Sequence, residues 1–313
     1  MTESVSARNP SRFDWWQALV RVLASVEAIR DGRALYVLLG AFSCAGLAMA
    51  SAQASLAREE LYWGIGQAAA ALFVAFYGAN AAGLLLMDRA RGVASRDIWQ
   101  AVEDALGVGH RVLVTLLGML LVGAAGAGAL LGLYWLSGLP RIGPWLFVIV
   151  VPATVVLIGL VALAVVAVVG PLTGPTVWAG ASSWQTLRQI WRMVRAQLLQ
   201  AVVLTGALSL ATGLVGAVIS LIVMLGGRVM AEASVFVLGV DIPPAALMAG
   251  LFGRGVTVSD PSRLAPDALH YILAATVGGG VVFALALVLP TLVYLRGVCE
   301  IYLALQSADE SQT

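Results

Sequence analysis

The chain has 313 residues, of which 60% are hydrophobic and 11% charged, with a formal net charge of +1 at pH 7. Soluble domains carry roughly 25% charged residues, so a fold wetted on all sides is excluded and an all-α, polytopic helical membrane protein is expected. All 18 basic residues are arginine, and their placement along the chain is more informative than their sum.

Residues 1–33 form a polar segment with Arg8, Arg12, Arg21, Arg30 and Arg33. Ser11 is placed to cap a helix with Phe13, Trp16, Leu19, Val20 and Leu23 on one face, the pattern of a helix lying in a membrane surface. A first uncharged span is expected over 34–57. It ends in the small residues Ala48–Ala54, which a signal peptidase accepts, but 33 polar residues ahead of it favour a retained anchor. The second span covers 61–87, opening on the interface anchors Tyr62 and Trp63. Asp88, Arg89, Arg91 and Arg96 follow, and Ser95 is placed to cap a second short helix through Ile98, Trp99, Val102 and Leu106.

The third span, 112–137, carries Gly128 and Gly132, a small-xxx-small spacing that suits close helix packing. A tight loop at 138–144, flanked by Trp135 and Trp145, leads to the fourth span, 145–169, which Pro171 and Pro175 are expected to end. Ser182 and Gln185 read as a capping box for a third amphipathic helix. The fifth span covers 198–225. Residues 226–269 form one long loop, whose apolar pieces 233–240 and 245–252 are each too short to cross a bilayer. The sixth span covers 271–295, with Gly278, Gly279, Gly280 and Pro290 inside it. The domain reading is a cytoplasmic segment 1–33, one transmembrane domain 34–296 and a cytoplasmic tail 297–313.

Trp16-Gln17-Ala18-Leu19, Trp99-Gln100-Ala101-Val102 and Trp184-Gln185-Thr186-Leu187 nearly match. Each starts a surface helix followed by two spans, so three parallel repeats of surface helix plus hairpin are expected. Thirteen arginines fall on the side of these helices and five on the other. That excess sets both termini and the three surface helices in the cytoplasm and the long loop in the periplasm.

Gly170-Pro171, followed by Thr186-Leu187-Arg188-Gln189-Ile190-Trp191-Arg192-Met193, resembles the Ala-Leu-x-x-Ser-Trp-x-Leu segment of bacterial six-span membrane proteins. These are the relatives of the glycerophosphoryl diester phosphodiesterase membrane domain. Thr186 stands in place of the Ala and Ile190 in place of the Ser. The resemblance implies a six-span membrane domain without catalytic residues, and nothing in the chain resembles the phosphodiesterase catalytic domain.

No charge falls inside the six expected spans, which argues against ion-coupled transport through a buried carboxylate. The polar span residues Gln67, Tyr77, Asn80 and Thr154 read either as a substrate lining or as interhelical hydrogen bonds. Arg296 and Glu300 read as an i,i+4 pair. Arg188, Arg192 and Arg195 form a stripe expected opposite Leu187, Trp191 and Val194. The stripe suits anionic headgroups, and it equally suits topology enforcement by positive charge. Cys44 and Cys299 lie at different depths, so no disulfide is expected. His110 and His270 flank spans on opposite sides, so no metal site is expected. No phosphate loop, nucleophile elbow or zinc-ligand helix is present.

The expected function is a non-enzymatic inner-membrane protein without a cofactor. It would organise lipid, a partner membrane protein or its own oligomer through its Arg-bearing helices, without nucleic acid. The alternative is a permease or channel for a small neutral or amphipathic molecule, using flexible positions such as Pro152 and Pro290. A lipid-active enzyme would have to draw on Asp241, Asp260 and Asp267 of the long loop.

Overall fold

A computed structural model of the chain describes residues 13–140, 143–238 and 268–310. Among these residues the structure is all-helical, with no strand. Six stretches are long and apolar enough to cross a membrane: Gly32–Leu56, Leu61–Ala90, Ile98–Leu136, Gly143–Trp178, Leu198–Ser234 and Val277–Ala308. A multi-pass membrane protein is therefore the architecture, as composition requires. Arg8, Arg12, Ser11, Arg141, Pro243, Pro244, Asp241, Arg254, Asp260, Arg263 and Asp267 lie outside the described residues, and so does the His270 side chain.

The first helix, α1 (Trp15–Leu23), is capped by Asp14, whose carboxylate accepts from the Gln17 N–H at 3.1 Å. A 3-10 stretch over Ala24–Arg30 joins it to α2 (Gly32–Ala57), which starts at the Asp31 cap. The small-residue run 48–54 is an unbroken part of α2, with Ala50 and Ala52 buried. A tight turn through Glu59, at φ 64°, leads into α3 (Leu61–Ala90).

Next comes α4 (Ile98–Leu136), a single 39-residue helix, where a short surface helix and a separate third span were expected. The residues between, Gly107 to Arg111, contain no proline and no cap, so nothing stops the backbone from continuing. Gly109 instead permits a close approach: a Cβ there would lie 2.6 Å from the Tyr77 ring.

Helix α5 (Gly143–Ala164) passes through a π-helical turn, Val165–Val169, into α6 (Gly170–Trp178). Pro171 and Pro175 therefore do not end the fourth span; it runs on to Trp178. Pro171 has no N–H to offer the Ala167 carbonyl one turn back. The Thr205 hydroxyl donates to that carbonyl at 3.0 Å. The Thr176 hydroxyl donates to Leu172 O at 2.7 Å. Thr205 thus supplies a donor where Pro171 removes one. Thr205→Val keeps the side-chain shape but strands the Ala167 carbonyl. We expect a loss of about 1 kcal/mol, or roughly 2 °C in the thermal midpoint of the detergent-solubilised protein. Helix α6 ends at Gly180, whose φ of +100° suits only glycine comfortably, as does the +69° of Gly92 after α3.

After α7 (Ser183–Ala196) and a break at Gln197 comes α8 (Leu198–Leu238). The fifth span was expected to end at Leu225. The helix instead continues, carrying an exposed Arg228–Glu232 pair at 3.0 Å, so the apolar piece from 233 begins as its last turns. Likewise α9 (Ala268–Glu310) continues through Pro290 and past the expected end of the sixth span. Residues 297–310 are thus helical, with Cys299, Ile301, Tyr302 and Leu305 buried. Cys44 is exposed, and no disulfide joins it to Cys299.

The chain divides into two compact units, Met1–Ser25 with His110–Leu208 and Gly297–Thr313, and Val26–Gly109 with Ser209–Arg296. In the first, the fully buried side chains include Leu172, Ile190, Leu204, Leu208, Ile301 and Leu305. In the second, α2 and α3 form an antiparallel hairpin, and every residue from Asn80 to Asp88 is buried. Gly46 and Ala50 of α2 meet Gly280 and Ala284 of α9, with small residues on both sides of the contact. The expected close packing at Gly128 and Gly132 is not formed: no atom of the described chain lies within 4 Å of a Cβ built on either.

Candidate membrane-surface site

Helix α7 is fixed at its start by the capping box that the sequence suggests. The Gln185 N–H donates to Ser182 Oγ at 3.4 Å, and the Ser182 N–H donates to Gln185 Oε1 at 2.9 Å. Its buried face is Thr186, Ile190 and Met193. Two longer bonds hold the helix to its unit: Gln189 Nε2 donates to the Tyr302 hydroxyl and Gln197 Nε2 to the Leu305 carbonyl, both at 3.3 Å. The tail helix is therefore part of the platform that presents α7.

Arg188, Arg192 and Arg195 are all exposed. The tryptophans are not opposite them. Trp184, Arg188, Trp191 and Arg195 follow an i, i+4, i+7, i+11 spacing and share one outer face. The Arg188 guanidinium lies 5.1 Å from the Trp184 ring centroid and Arg195 lies 4.7 Å from that of Trp191. The expected placement of Trp191 on the opposite side is corrected accordingly: the side chains that anchor the helix are smaller or unbranched, and the indoles remain half or more exposed. Arg192 lines a small cleft with Gln189, Met193, Ala196, Gln197 and Gln306. The arrangement is a row of guanidinium groups over indole faces, which attract cations through their quadrupoles.

Each of the other two Trp-Gln pairs shows one half of this capping box. The Asp97 N–H donates to Gln100 Oε1 at 3.4 Å, and Asp14 accepts from Gln17 as described. Trp16 and Trp99 are exposed, at 75% and 79%, as Trp184 is at 60%. The residue two places on is buried in each case: Ala18, Ala101 and Thr186. Asp14 and Asp97, and not Ser11 and Ser95, stand at the first two helix starts.

Gln67, Asn80 and Thr154 are hydrogen-bonded within or between neighbouring helices, and Tyr77 is packed on aromatic rings. Ser55 Oγ donates to Gln67 Oε1 at 3.1 Å, and Asn80 Nδ2 donates to Phe76 O at 2.8 Å. The Tyr77 ring packs on Phe73 and Phe76, with centroids 4.4 and 5.3 Å apart. Thr154 donates to Val151 O at 2.9 Å, so at 2.8 Å the Tyr134 hydroxyl is its donor.

Sequence reasoning missed an ion-pair network at the α3–α4 loop. Asp88, 6% exposed, accepts from Arg96 Nε at 3.0 Å and Nη2 at 3.2 Å. Arg96 Nη1 also donates to Asp104 Oδ2 at 2.9 Å. Arg33 Nη1 donates to the carbonyls of Ser95 and Arg96, at 3.2 and 3.1 Å. Arg89 pairs with Asp31 at 2.9 Å, while Asp31 accepts from the Ala34 N–H. Arg296 Nη1 donates to Leu86 O at 3.1 Å. The available signal was the set of aspartates lying among these arginines; counting arginines alone treats the loop as a solvated charge belt.

No protein-family model matches the chain, and no curated protein or solved structure matches it.

Proposed function

We propose that this multi-pass membrane protein is non-enzymatic and organises anionic lipid, or a partner that presents the same chemistry, through its Arg-bearing surface helices. The observation that carries the reading is the outer face of α7, where Arg188 and Arg195 lie over Trp184 and Trp191. Indole rings favour the headgroup layer, and each basic residue near an anionic surface contributes about 1 kcal/mol. The face therefore combines the two side-chain types that hold a helix at a lipid interface.

In this reading α1, the start of α4 and α7 are equivalent cytoplasmic elements of a threefold parallel repeat. Their partly matching caps, outward Trp, Gln and buried small residue support it. The arginine distribution supports a bacterial inner membrane with both termini inside. The likeness of residues 170–193 to the membrane part of the phosphodiesterase-domain relatives agrees with a non-catalytic role. The hydrogen bonding of Gln67, Asn80 and Thr154 and the ring packing of Tyr77 favour this reading over a permease or channel.

The test is the triple variant Arg188→Gln, Arg192→Gln and Arg195→Gln in the full chain. Retention of anionic phospholipid on purification should fall about fivefold per arginine, with a C-terminal reporter still cytoplasmic. Wild-type lipid retention with that topology preserved would remove the basis for the proposal.

A further inference from the structure

The start of α2 and the loop after α3 border an open cleft of about 510 Å³, lined by Asp31, Gly32, Arg33, Tyr36, Arg89 and Ser95. We propose that this cleft binds a phosphoryl group, that of an anionic phospholipid headgroup or of a soluble phosphate, between Arg33 and Arg89. Its size falls in the range of small-ligand sites, roughly 300–1,000 Å³.

Arg33 is held still. Its Nη1 is committed to the Ser95 and Arg96 carbonyls, and its Nε and Nη2 have no partner among the described residues. Arg89 is held in the same way: Nη1 engages Asp31 Oδ2, and its remaining N–H groups have no partner among the described residues. Two guanidinium groups, each anchored at one nitrogen, keep further donors for a ligand. Arginine forks match phosphate oxygens in pairs.

Asp31 is the one carboxylate in the lining. It is buried, paired with Arg89 and bonded to the Ala34 N–H. Its charge is answered within the protein, so two guanidinium groups and one carboxylate leave the cleft net positive. Tyr36, 68% exposed, stands one turn further along α2. Beyond it the helix is apolar, so the ring marks headgroup height in a membrane-crossing α2. The premise that α2 and α3 cross a membrane is shared with the proposal above, but Arg188, Arg192 and Arg195 take no part.

The probe is phosphatidylglycerol, titrated into the delipidated full chain in detergent and counted by native mass spectrometry, with phosphate-free diacylglycerol as the control. Losing charge-assisted hydrogen bonds should cost about tenfold in affinity. Arg33→Lys keeps a cationic donor facing the two loop carbonyls, and Arg89→Lys keeps the charge facing Asp31, while both lose the guanidinium fork, so both variants should fold. Each should weaken one bound phosphatidylglycerol about tenfold, and the Arg188/Arg192/Arg195 triple variant should keep that lipid. Displacement by excess inorganic phosphate assigns the site to soluble phosphate, and persistence assigns it to the lipid. Equal binding of phosphatidylglycerol and diacylglycerol, or wild-type affinity in both variants, overturns the proposal.

Discussion

Arg96→Ala is expected to lower stability by about 3–5 kcal/mol, the cost of leaving a buried charge without its partner. Asp88 is the charge left behind. It is nearly inaccessible, and among the described residues the two Arg96 side-chain bonds at 3.0 and 3.2 Å are joined only by the Arg96 backbone N–H at 3.4 Å. Removing the guanidinium also frees Asp104, but that side chain is half exposed and water can replace the bond. Asp104→Asn alone should therefore cost under about 1 kcal/mol. Adding Asp88→Asn to Arg96→Ala should recover part of the loss, because a neutral amide tolerates burial better than a lone carboxylate. Thermal unfolding of the three variants and the wild type in one detergent checks the ordering. If Arg96→Ala melts with the wild type, the network contributes nothing to the fold.

Gly46→Leu is expected to cost about 1–3 kcal/mol or more by overpacking. A Cβ at Gly46 would lie 2.6 Å from the Ala284 Cβ and 3.0 Å from the Gly280 carbonyl oxygen. A Cβ at Gly280 would in turn lie 2.9 Å from that of Ala50. The neighbours on both sides are backbone or the first side-chain carbon, so no flexible tip can swing away. The helices must separate, and the dispersion contacts that drive association in lipid are lost along the whole seam. Gly132→Leu is the matched control. It faces open space, and replacing glycine in a helix interior should be neutral or gain a fraction of a kcal/mol. Yield of monodisperse protein and the thermal midpoint report both changes. Equal behaviour of Gly46→Leu and Gly132→Leu would show that the α2–α9 contact is not formed.

Both predictions concern features that no local pattern encodes. Gly128 and Gly132 have the small-xxx-small spacing, and so do the pairs Gly46/Ala50 and Gly280/Ala284. Spacing says that a close approach is permitted; only the meeting of two helices distant in sequence decides which pair uses it. Pro171 makes the same point for helix ends. Read alone, a proline stops a helix. With Thr205 placed to serve the Ala167 carbonyl, the helix passes through. The donor lies on another helix, so the local window that contains the proline cannot reveal it.

The Arg188–Arg192–Arg195 face divides along the same line. Its helix, its capping box and its exposed arginines were legible, because caps act over three residues and amphipathicity repeats every three to four. The position of Trp191 beside Arg195 was not, since a tryptophan reads as apolar until the neighbouring elements choose which side to bury.

The sequence by itself determined that this protein lives in hydrocarbon, in six apolar helical crossings among the described residues. Solvation of a continuous segment depends on its own composition, and backbone groups in lipid must bond within the helix. Only the tertiary structure decided which aspartates answer which arginines, which small residues touch, and where Arg33 and Arg89 face a common cleft. Arg96 reaches Asp88 and Asp104 across eight residues each, the other pairings span tens to hundreds, and their energies exist only once the partners are within a few ångströms.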